Sequence, residues 1–336
     1  MQETLHYLLM SDHLMVQKAL VASVKDTGLT PGQPKILDYL LHHDGAIQKD
    51  IAMFCHIEPA SLTSILNGME KKGYIERKTA GNNRRSLHVY LTKTGKKYAD
   101  RLNLEFAKIE TDALKGFTEA ETNQLHNMLY RVYENMANTI IKNLSRRNIE
   151  GFYCPDKDSA VSLAMDIIGE NATVSFGGSA TLKESGMLEA LRNSSVHVIE
   201  TFSAQTPEEK HQAFLNCVAS DYFFMSSNAI TIDGELINID GNGNRIACLI
   251  HGPKHVILLV GMNKVVSDAK SGIARIQNTA SPVNAVSLNK KTPCGITGHC
   301  GNCHSADCMC CQVVVTRHSR HDGRIKVILI GEELGY

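Results

Sequence analysis

Hydrophobic rhythm changes partway along this chain, between residues 138 and 155, and the change predicts two halves of different architecture. Upstream, apolar residues recur with the period of a helix. Leu5, Leu8, Leu9, Val16 and Leu20 mark a helix over residues 3–25. A second is read over 30–44 and a third over 47–55. Thr118 and Glu121 form a capping-box pattern, followed by a long stripe of Leu125, Met128, Leu129, Val132, Tyr133 and Met136. Downstream, strand and helix alternate. A helix with Asp158 as its cap and Gly169 as its stop leads to a strand at 173–176. Then come a helix over 182–191, a strand at 196–200, a helix over 207–217 and a strand at 221–226. A hairpin turning at Asp233-Gly234 spans 231–240, short apolar strands are read at 247–250 and 256–260, and a helix over 265–278. Such alternation predicts a mainly parallel sheet covered on both faces. The expected fold class is a helix-rich module at 1–140 followed by an α/β domain at 141–336, and 336 residues suit two domains.

Residues 58–101 carry the clearest local plan: a helix, a two-stranded hairpin and the start of another helix. Leu62, Ile65, Leu66 and Met69 fall at i, i+3, i+4 and i+7, one buried face. Pro59 suits the first turn and Gly73 the stop. The other face, Ala60, Thr63, Ser64, Asn67 and Lys71, is short or polar, so it can enter a major groove without steric conflict. The hairpin pairs 74–79 with 86–91 around Gly81-Asn82-Asn83. Between Lys71 and Arg101 there are ten basic residues against Glu76 and Asp100, a local +8 in a chain of net charge zero. A solvated basic face is the bland account of such a run; together with the helix and the Arg-tipped hairpin it reads as a phosphate-binding footprint.

Residues 1–140 resemble MarR-type winged helix-turn-helix regulators, through the order of LTPGQPKILDYLLHHDG, AIQKDIAMFCHIEPASLTSILNGMEKKGYIER and NNRRSLHVYLTKTGKK. The resemblance implies that the helix over 59–72 enters the major groove and that the wing arginines meet the minor groove or backbone. The DNA-binding candidates are therefore Thr63, Ser64, Asn67, Lys71, Arg84 and Arg85. Asn83 stands where that family usually places an Asp before its wing Arg. In the family the terminal helices form the dimer, so a two-fold homodimer is expected, with double-stranded DNA as partner.

Farther on, Gly177-Gly178-Ser179-Ala180-Thr181 follows a strand directly. Two glycines allow close backbone approach, and Ser179 and Thr181 add hydroxyls at a helix start, which suits a phosphate or carboxylate; a tight strand-to-helix turn explains the glycines equally well. Asp240-Gly241-Asn242-Gly243 reads as turn chemistry, but Arg245 enters an apolar stretch and should need an anionic partner. SFGGSATLKESG, DYFFMSSNAIT, DGELINIDGNGNR, HGPKHVILLVGMNKVV and RIKVILIGEELGY resemble, in order, the LUD domain of lactate-utilisation proteins. That resemblance implies an α/β fold related to sugar-phosphate isomerases and CoA transferases, with the Gly-Gly-Ser loop at the edge of a pocket. It supplies no catalytic residue. The ligand-binding candidates are Gly177, Gly178, Ser179, Thr181, Glu184, Asn228, Asp240, Asn244, Arg245, Asn263 and Lys264, for a small anionic metabolite.

Six of the ten cysteines lie in the segment 294–311. Clustered thiols in a chain read as cytoplasmic point to metal or redox chemistry rather than disulfides. Cys294, Cys300, Cys303 and Cys310 offer four thiolates for an iron–sulfur cluster or tetrahedral zinc, with free redox thiols as the remaining option. Many LUD proteins share this pattern of four; Cys308 and Cys311 are additions. His299, His304, His318 and His321 are alternative zinc ligands.

Neither a charged-then-apolar leader nor a run long enough to span a bilayer is found, so a cytoplasmic protein without a membrane partner is expected. No nucleophile–base pair or nicotinamide fingerprint stands out, which weighs against an enzyme. The leading expectation is a DNA-binding transcriptional regulator whose LUD domain senses a small anionic metabolite or redox state. The alternative is a component of lactate or related organic-acid oxidation with a regulatory DNA-binding domain.

Overall fold

The computed structural model describes residues 4–30, 32–48, 51, 54–55, 57, 59–79, 87–200 and 206–336. It divides into two compact units, Met1–Asn127 and Met128–Tyr336, and the division falls inside the long helix Glu119–Arg146.

In the first unit the helices Leu5–Ser23, Gln33–His42, Pro59–Lys71 and Lys93–Ala113 surround a small sheet of β1 (Ala46–Ile47), β2 (Ile75–Thr79) and β3 (Leu87–Leu91). The strands pair antiparallel in the order β1-β3-β2. Leu62, Leu66 and Met69 are buried, and Ile65 packs against the same core, as their spacing predicts. The helix ends in a Schellman motif: Tyr74 N donates to Met69 O (2.9 Å), Gly73 N donates to Glu70 O (2.9 Å), and Gly73 takes φ +72°. The start of the next helix closes against this turn. Thr92 caps it through Gly95 N, and a Cβ on Gly95 would lie 1.8 Å from Tyr74 O, so no other residue fits there without moving the backbone. The Thr118–Glu121 capping box is formed in both directions, at 2.8 and 3.2 Å. The turn at Gly81-Asn82-Asn83 and the wing residues Arg84 and Arg85 lie outside the described residues.

The second unit is α/β. Its main sheet has six parallel strands in the order β4-β13-β10-β7-β5-β6. These are β4 (Glu150–Cys154), β5 (Thr173–Phe176), β6 (His197–Ile199), β7 (Tyr222–Met225), β10 (His255–Gly261) and β13 (Ile325–Ile330). The central strands bury nearly every side chain, as a sheet covered on both faces requires; β10 reads Val256, Ile257, Leu258, Leu259 and Val260, all buried. A second, mixed sheet runs β11-β8-β9-β12, with β8 (Ala229–Thr231), β9 (Leu236–Asp240), β11 (Val265–Val266) and β12 (Gln312–Thr316). The hairpin read at 231–240 is its β8–β9 pair, with Gly234 at φ +86°.

Several boundaries differ from the sequence expectation, each for a physical reason. Residues 247–250 are part of a helix, Asn244–Ile250, not a strand; a short apolar run does not distinguish the two, and Gly243 in the left-handed region starts the helix. Val265 and Val266 form a strand, and the helix begins only at Ala269, where the Asp268 carboxylate accepts from Ser271 N (2.8 Å). The cap of helix Lys157–Ile168 is Asp156 rather than Asp158, with Ser159 N as donor at 2.8 Å. Gly186 splits the expected 182–191 helix into Ala180–Glu184 and Met187–Arg192.

Candidate functional site

Three sets of residues carry chemistry. On helix Pro59–Lys71, Ser64, Asn67 and Lys71 are exposed and Thr63 is half-buried, so the short polar face stands open. Next to it, Arg77 at the base of the hairpin is bound by Glu70 (Nε to Oε2, 3.1 Å) and by Asn67 (Nη2 to Oδ1, 2.7 Å). The Arg77 guanidinium holds the Glu70 carboxyl below its ordinary value. Arg101 is bound bidentately by Asp26, at 2.6 and 2.8 Å. Part of the positive run is therefore structural, while Lys71, Lys93, Lys96 and Lys97 remain exposed.

The second set lies at the carboxyl edge of the parallel sheet. From β5 the chain goes to β6 on one side and returns to β7 on the other, so β5 and β7 flank a topological switch point, the usual ligand crevice of open α/β sheets. Gly177 leaves β5 there, with its N–H on Phe224 O (3.0 Å) and its Cα against Arg245, whose Cγ would lie 3.2 Å from an added Cβ. Ser179 caps the next helix by accepting from Leu182 N (3.3 Å). That helix has only five residues, so its dipole is small; cations rather than a helix terminus supply the positive potential here. Lys264, 2% exposed, donates to Thr181 Oγ1 (2.6 Å) and Ser226 Oγ (3.0 Å). Arg245 donates to Asn238 Oδ1 (2.7 Å), Asn228 Oδ1 (3.0 Å), Ile239 O (2.9 Å) and Ser226 O (3.3 Å), and its Nε lies 3.4 Å from Asp240 Oδ2. The anionic partner expected for Arg245 is thus Asp240, whose other oxygen accepts from Asn242 N and Gly243 N. Burial pulls the guanidinium pKa down and Asp240 opposes that shift.

The tail after β13 closes this edge. Leu334 O accepts from Thr181 Oγ1 (3.2 Å), Gly335 N donates to Glu184 Oε2 (2.6 Å), and Asn263 bonds both Leu334 N (3.3 Å) and Gly335 O (3.4 Å). Nine of the eleven sequence candidates therefore meet at one edge or in the bonds that frame it; Gly178 and Asn244 face solvent. Asn238 and Arg275 are not among the sequence candidates, and Ser226 and the tail, though within polar or motif segments, are not among the ligand-binding residues read from sequence. Arg275 donates to Asn228 O (2.7 Å) and Asn263 O (3.3 Å). A polar Asn238 inside the apolar strand β9 is a signal of this kind, and the tail lies in the motif RIKVILIGEELGY.

The third set is the thiol segment. Cys294, Cys300, Cys303, Cys308, Cys310 and Cys311 line one cavity of about 380 Å³, with Gln277, Ser281, Thr292 and His304 among the other wall residues. No group of three or more His, Cys, Asp or Glu side chains among the described residues is arranged to hold a metal ion. Burial pushes the Cys310 thiol up to about 11, and the nearby Cys308, Cys300 and Cys294 thiols add to that shift. One wall comes from a π-helical turn, Ile276–Ala280, between helices Ala269–Arg275 and Ser281–Ser287. Asn278 Oδ1 on that turn accepts from Cys300 N (3.3 Å). The segment then joins the second set: Cys311 N donates to Asp240 O (3.1 Å), and β12 pairs antiparallel with β9. Among the described residues no helix is long and apolar enough to cross a membrane.

A winged helix-turn-helix segment joined to an α/β domain is what these elements define. More than half of the chain, residues 137–330, matches the LUD domain family model, and the chain belongs to that family. Residues 29–87 match the MarR family model. Similar curated proteins carry the names of transcriptional regulators. The putative transcriptional regulatory protein for the hcr operon of Thauera aromatica is 26% identical over 112 residues, 33% of this chain and 68% of that protein. The uncharacterized HTH-type transcriptional regulator YybA of Bacillus subtilis (strain 168) is 28% identical over 112 residues, 33% of this chain and 75% of that protein. Among solved structures, a putative MarR family regulator from Listeria monocytogenes complexed with a 26mer DNA is 27% identical, covering 41% of this chain and 91% of its own, with a TM-score of 0.37. The S. aureus MepR–DNA complex is 22% identical, covering 40% and 99%, with a TM-score of 0.38.

Proposed function

We propose that the chain is a cytoplasmic transcriptional regulator that binds duplex DNA through its winged helix and senses a small anionic metabolite or redox state through its LUD domain. The observation that carries the DNA reading is the open polar face of helix Pro59–Lys71, with Ser64, Asn67 and Lys71 exposed beside the basic hairpin. Thr63, Ser64 and Asn67 would read base edges, while Lys71 and the wing arginines Arg84 and Arg85 would meet phosphate. The active form is a homodimer. In support, helix Leu5–Ser23 exposes Leu5, Leu8, Leu9, Met15 and Val16, and helix Glu119–Arg146 exposes Met128, Leu129, Tyr133 and Met136, apolar surface that a single chain leaves in water. Two-fold symmetry would set the reading helices about one DNA turn apart, roughly 34–36 Å.

The anionic ligand is assigned to the switch-point edge, where the buried cations Lys264 and Arg245 share Ser226. A carboxylate or phosphate there would compete with Asp240 for Arg245 and with Leu334 O for the Thr181 hydroxyl, so binding would be felt in the tail. The thiol-lined cavity is assigned to metal, iron–sulfur or zinc, with Cys294, Cys300, Cys303 and Cys310 as ligands. When bound, the metal would supply redox or structural control, and this chain's part is to hold it next to Asp240. A mobility-shift titration on the protein's own upstream DNA, with and without lactate, sugar phosphates or oxidant, tests the reading. The expected result is a shifted band whose midpoint moves with one of these additions. No band on any DNA, alongside lactate oxidation by the pure protein, would replace this function with the catalytic alternative.

A further inference from the structure

The anion edge of the second unit is closed by its own chain. Lys264 is 2% exposed, and the tail backbone lies against it: a Cβ on Gly335 would fall 3.1 Å from Lys264 Nζ and 2.3 Å from Thr181 Oγ1. Leu334 O already accepts from the Thr181 hydroxyl (3.2 Å), so a carbonyl stands where an anion's oxygen would bind. With so little of Lys264 open to solvent, an anion reaches it and the Thr181 hydroxyl only if a covering segment moves. The tail is in contact with both. Its attachment is of a kind that can be released. β13 ends at Ile330, and the four backbone hydrogen bonds of Leu334 and Gly335 go to the side chains of Thr181, Glu184 and Asn263 rather than to a sheet ladder. Leu334 is the anchor, buried in one apolar cluster with Leu182 and Leu259. Gly335 follows at φ +66°, so a residue free to change its backbone angles comes directly after that anchor.

The far end of the same segment touches the thiol cleft. Tyr336 OH donates to Asn284 Oδ1 (2.8 Å) on helix Ser281–Ser287, and the Tyr336 ring packs against the cluster that contains Ile276 and Ala280. This helix walls the cleft: Ser281 Oγ accepts from the Cys310 thiol (3.1 Å), and Asn284 Nδ2 lies 3.9 Å from Met309 Sδ. We propose that residues 334–336 are a latch over the anion site, that an entering carboxylate or phosphate unseats it, and that Tyr336 carries the displacement to the thiol cleft. The inference rests on the anion reading above and adds its gate and its route to the thiols. The latch is a competitor of the ligand built into the chain. Apparent affinity is lowered by the fraction of molecules in which the tail is seated, and whatever unseats the tail raises it by the same factor. By linkage, whatever loosens helix Ser281–Ser287 from Tyr336 also favours the open edge.

The test is hydrogen–deuterium exchange of the full chain, read by mass spectrometry over peptides covering 331–336 and 281–287. Inorganic phosphate is added in one arm and lactate in another, beside calorimetric titration of the same anions. Binding should bring faster exchange in both segments. Gly335→Ala drives a Cβ onto Thr181 Oγ1 from a left-handed backbone, so it should unseat the tail without ligand. Its affinity for the anion should rise roughly tenfold or more, the gain expected when the open form is about a tenth of the molecules or fewer. Tyr336→Phe keeps the ring and loses the bond to Asn284; it should still bind, with faster exchange in 331–336 but no longer in 281–287. Binding with unchanged exchange in 331–336 would overturn the latch and leave the anion site standing. Binding by neither the wild-type nor the Gly335→Ala chain would overturn the anion site as well. A Tyr336→Phe chain whose 281–287 segment still responds would overturn Tyr336 as the link.

Discussion

Replacing Arg245 with Met tests the switch-point edge most sharply. Arg245 and Asp240 are 13% and 8% exposed, and the guanidinium also meets four neutral acceptors between 2.7 and 3.3 Å. Removing one partner of a buried ion pair costs about 3–5 kcal/mol, because the other charge stays in a poorly solvated place. Asp240 keeps two backbone N–H donors, from Asn242 and Gly243, which argues for the lower end. About 3 kcal/mol is therefore expected for Arg245→Met, roughly a hundredfold in the folded-to-unfolded ratio. Asp240→Asn keeps an acceptor oxygen and leaves the guanidinium its neutral partners, so about 1–2 kcal/mol is expected. The double variant should cost less than the sum, with a coupling of about 1–2 kcal/mol. Urea unfolding of the four proteins, followed by far-UV circular dichroism, measures all three quantities. A loss below about 0.5 kcal/mol for Arg245→Met, or strictly additive losses, would show that this pair does not organise the edge.

Three further outcomes follow from the first unit and the exposed helices. Gly95→Ala puts a Cβ 1.8 Å from Tyr74 O, so the loop and helix must part; overpacking of this order costs about 3 kcal/mol, and thermal melting should report it. An unchanged melting temperature would mean that the close approach relaxes freely. Ser64→Ala should change sequence preference in a binding-site selection, whereas Arg84→Ala with Arg85→Ala should weaken all duplexes alike and flatten the salt dependence. An unchanged salt slope would remove the wing from phosphate. Leu9→Glu with Met128→Glu, both at exposed apolar positions, should shift the solution mass toward the monomer; an unchanged mass would place the dimer contacts elsewhere.

Local features were legible where one period or one cap decides them. The helix Pro59–Lys71 declared itself through Leu62, Ile65, Leu66 and Met69, and the strand Thr173–Phe176 through a short apolar run ended by two glycines. Residues 247–250 failed because four apolar residues satisfy either period, and the deciding element is the backbone of Gly243. Arg77 belongs to the positive run by sequence, and only the fold brings it to Glu70 and Asn67, seven and ten residues away. The ligand candidates were legible as residue types but not as an arrangement. Nothing local in the sequence says that Thr181 meets Leu334, or that Lys264 meets Ser226; those contacts depend on strand order. For the same reason nothing in the sequence links the thiol segment to Arg245, which the β9–β12 ladder connects through Asp240.

Under the proposed function the winged helix holds duplex DNA by phosphate contacts and the LUD domain adjusts this grip. The most direct measurement is fluorescence anisotropy of a labelled upstream duplex titrated with the full chain over a range of salt concentrations. Phosphate binding requires a linear fall of log affinity with log salt, with a slope of about −0.9 for each phosphate neutralised and several phosphates in all. Absence of binding at low salt, or an affinity indifferent to salt, would contradict it.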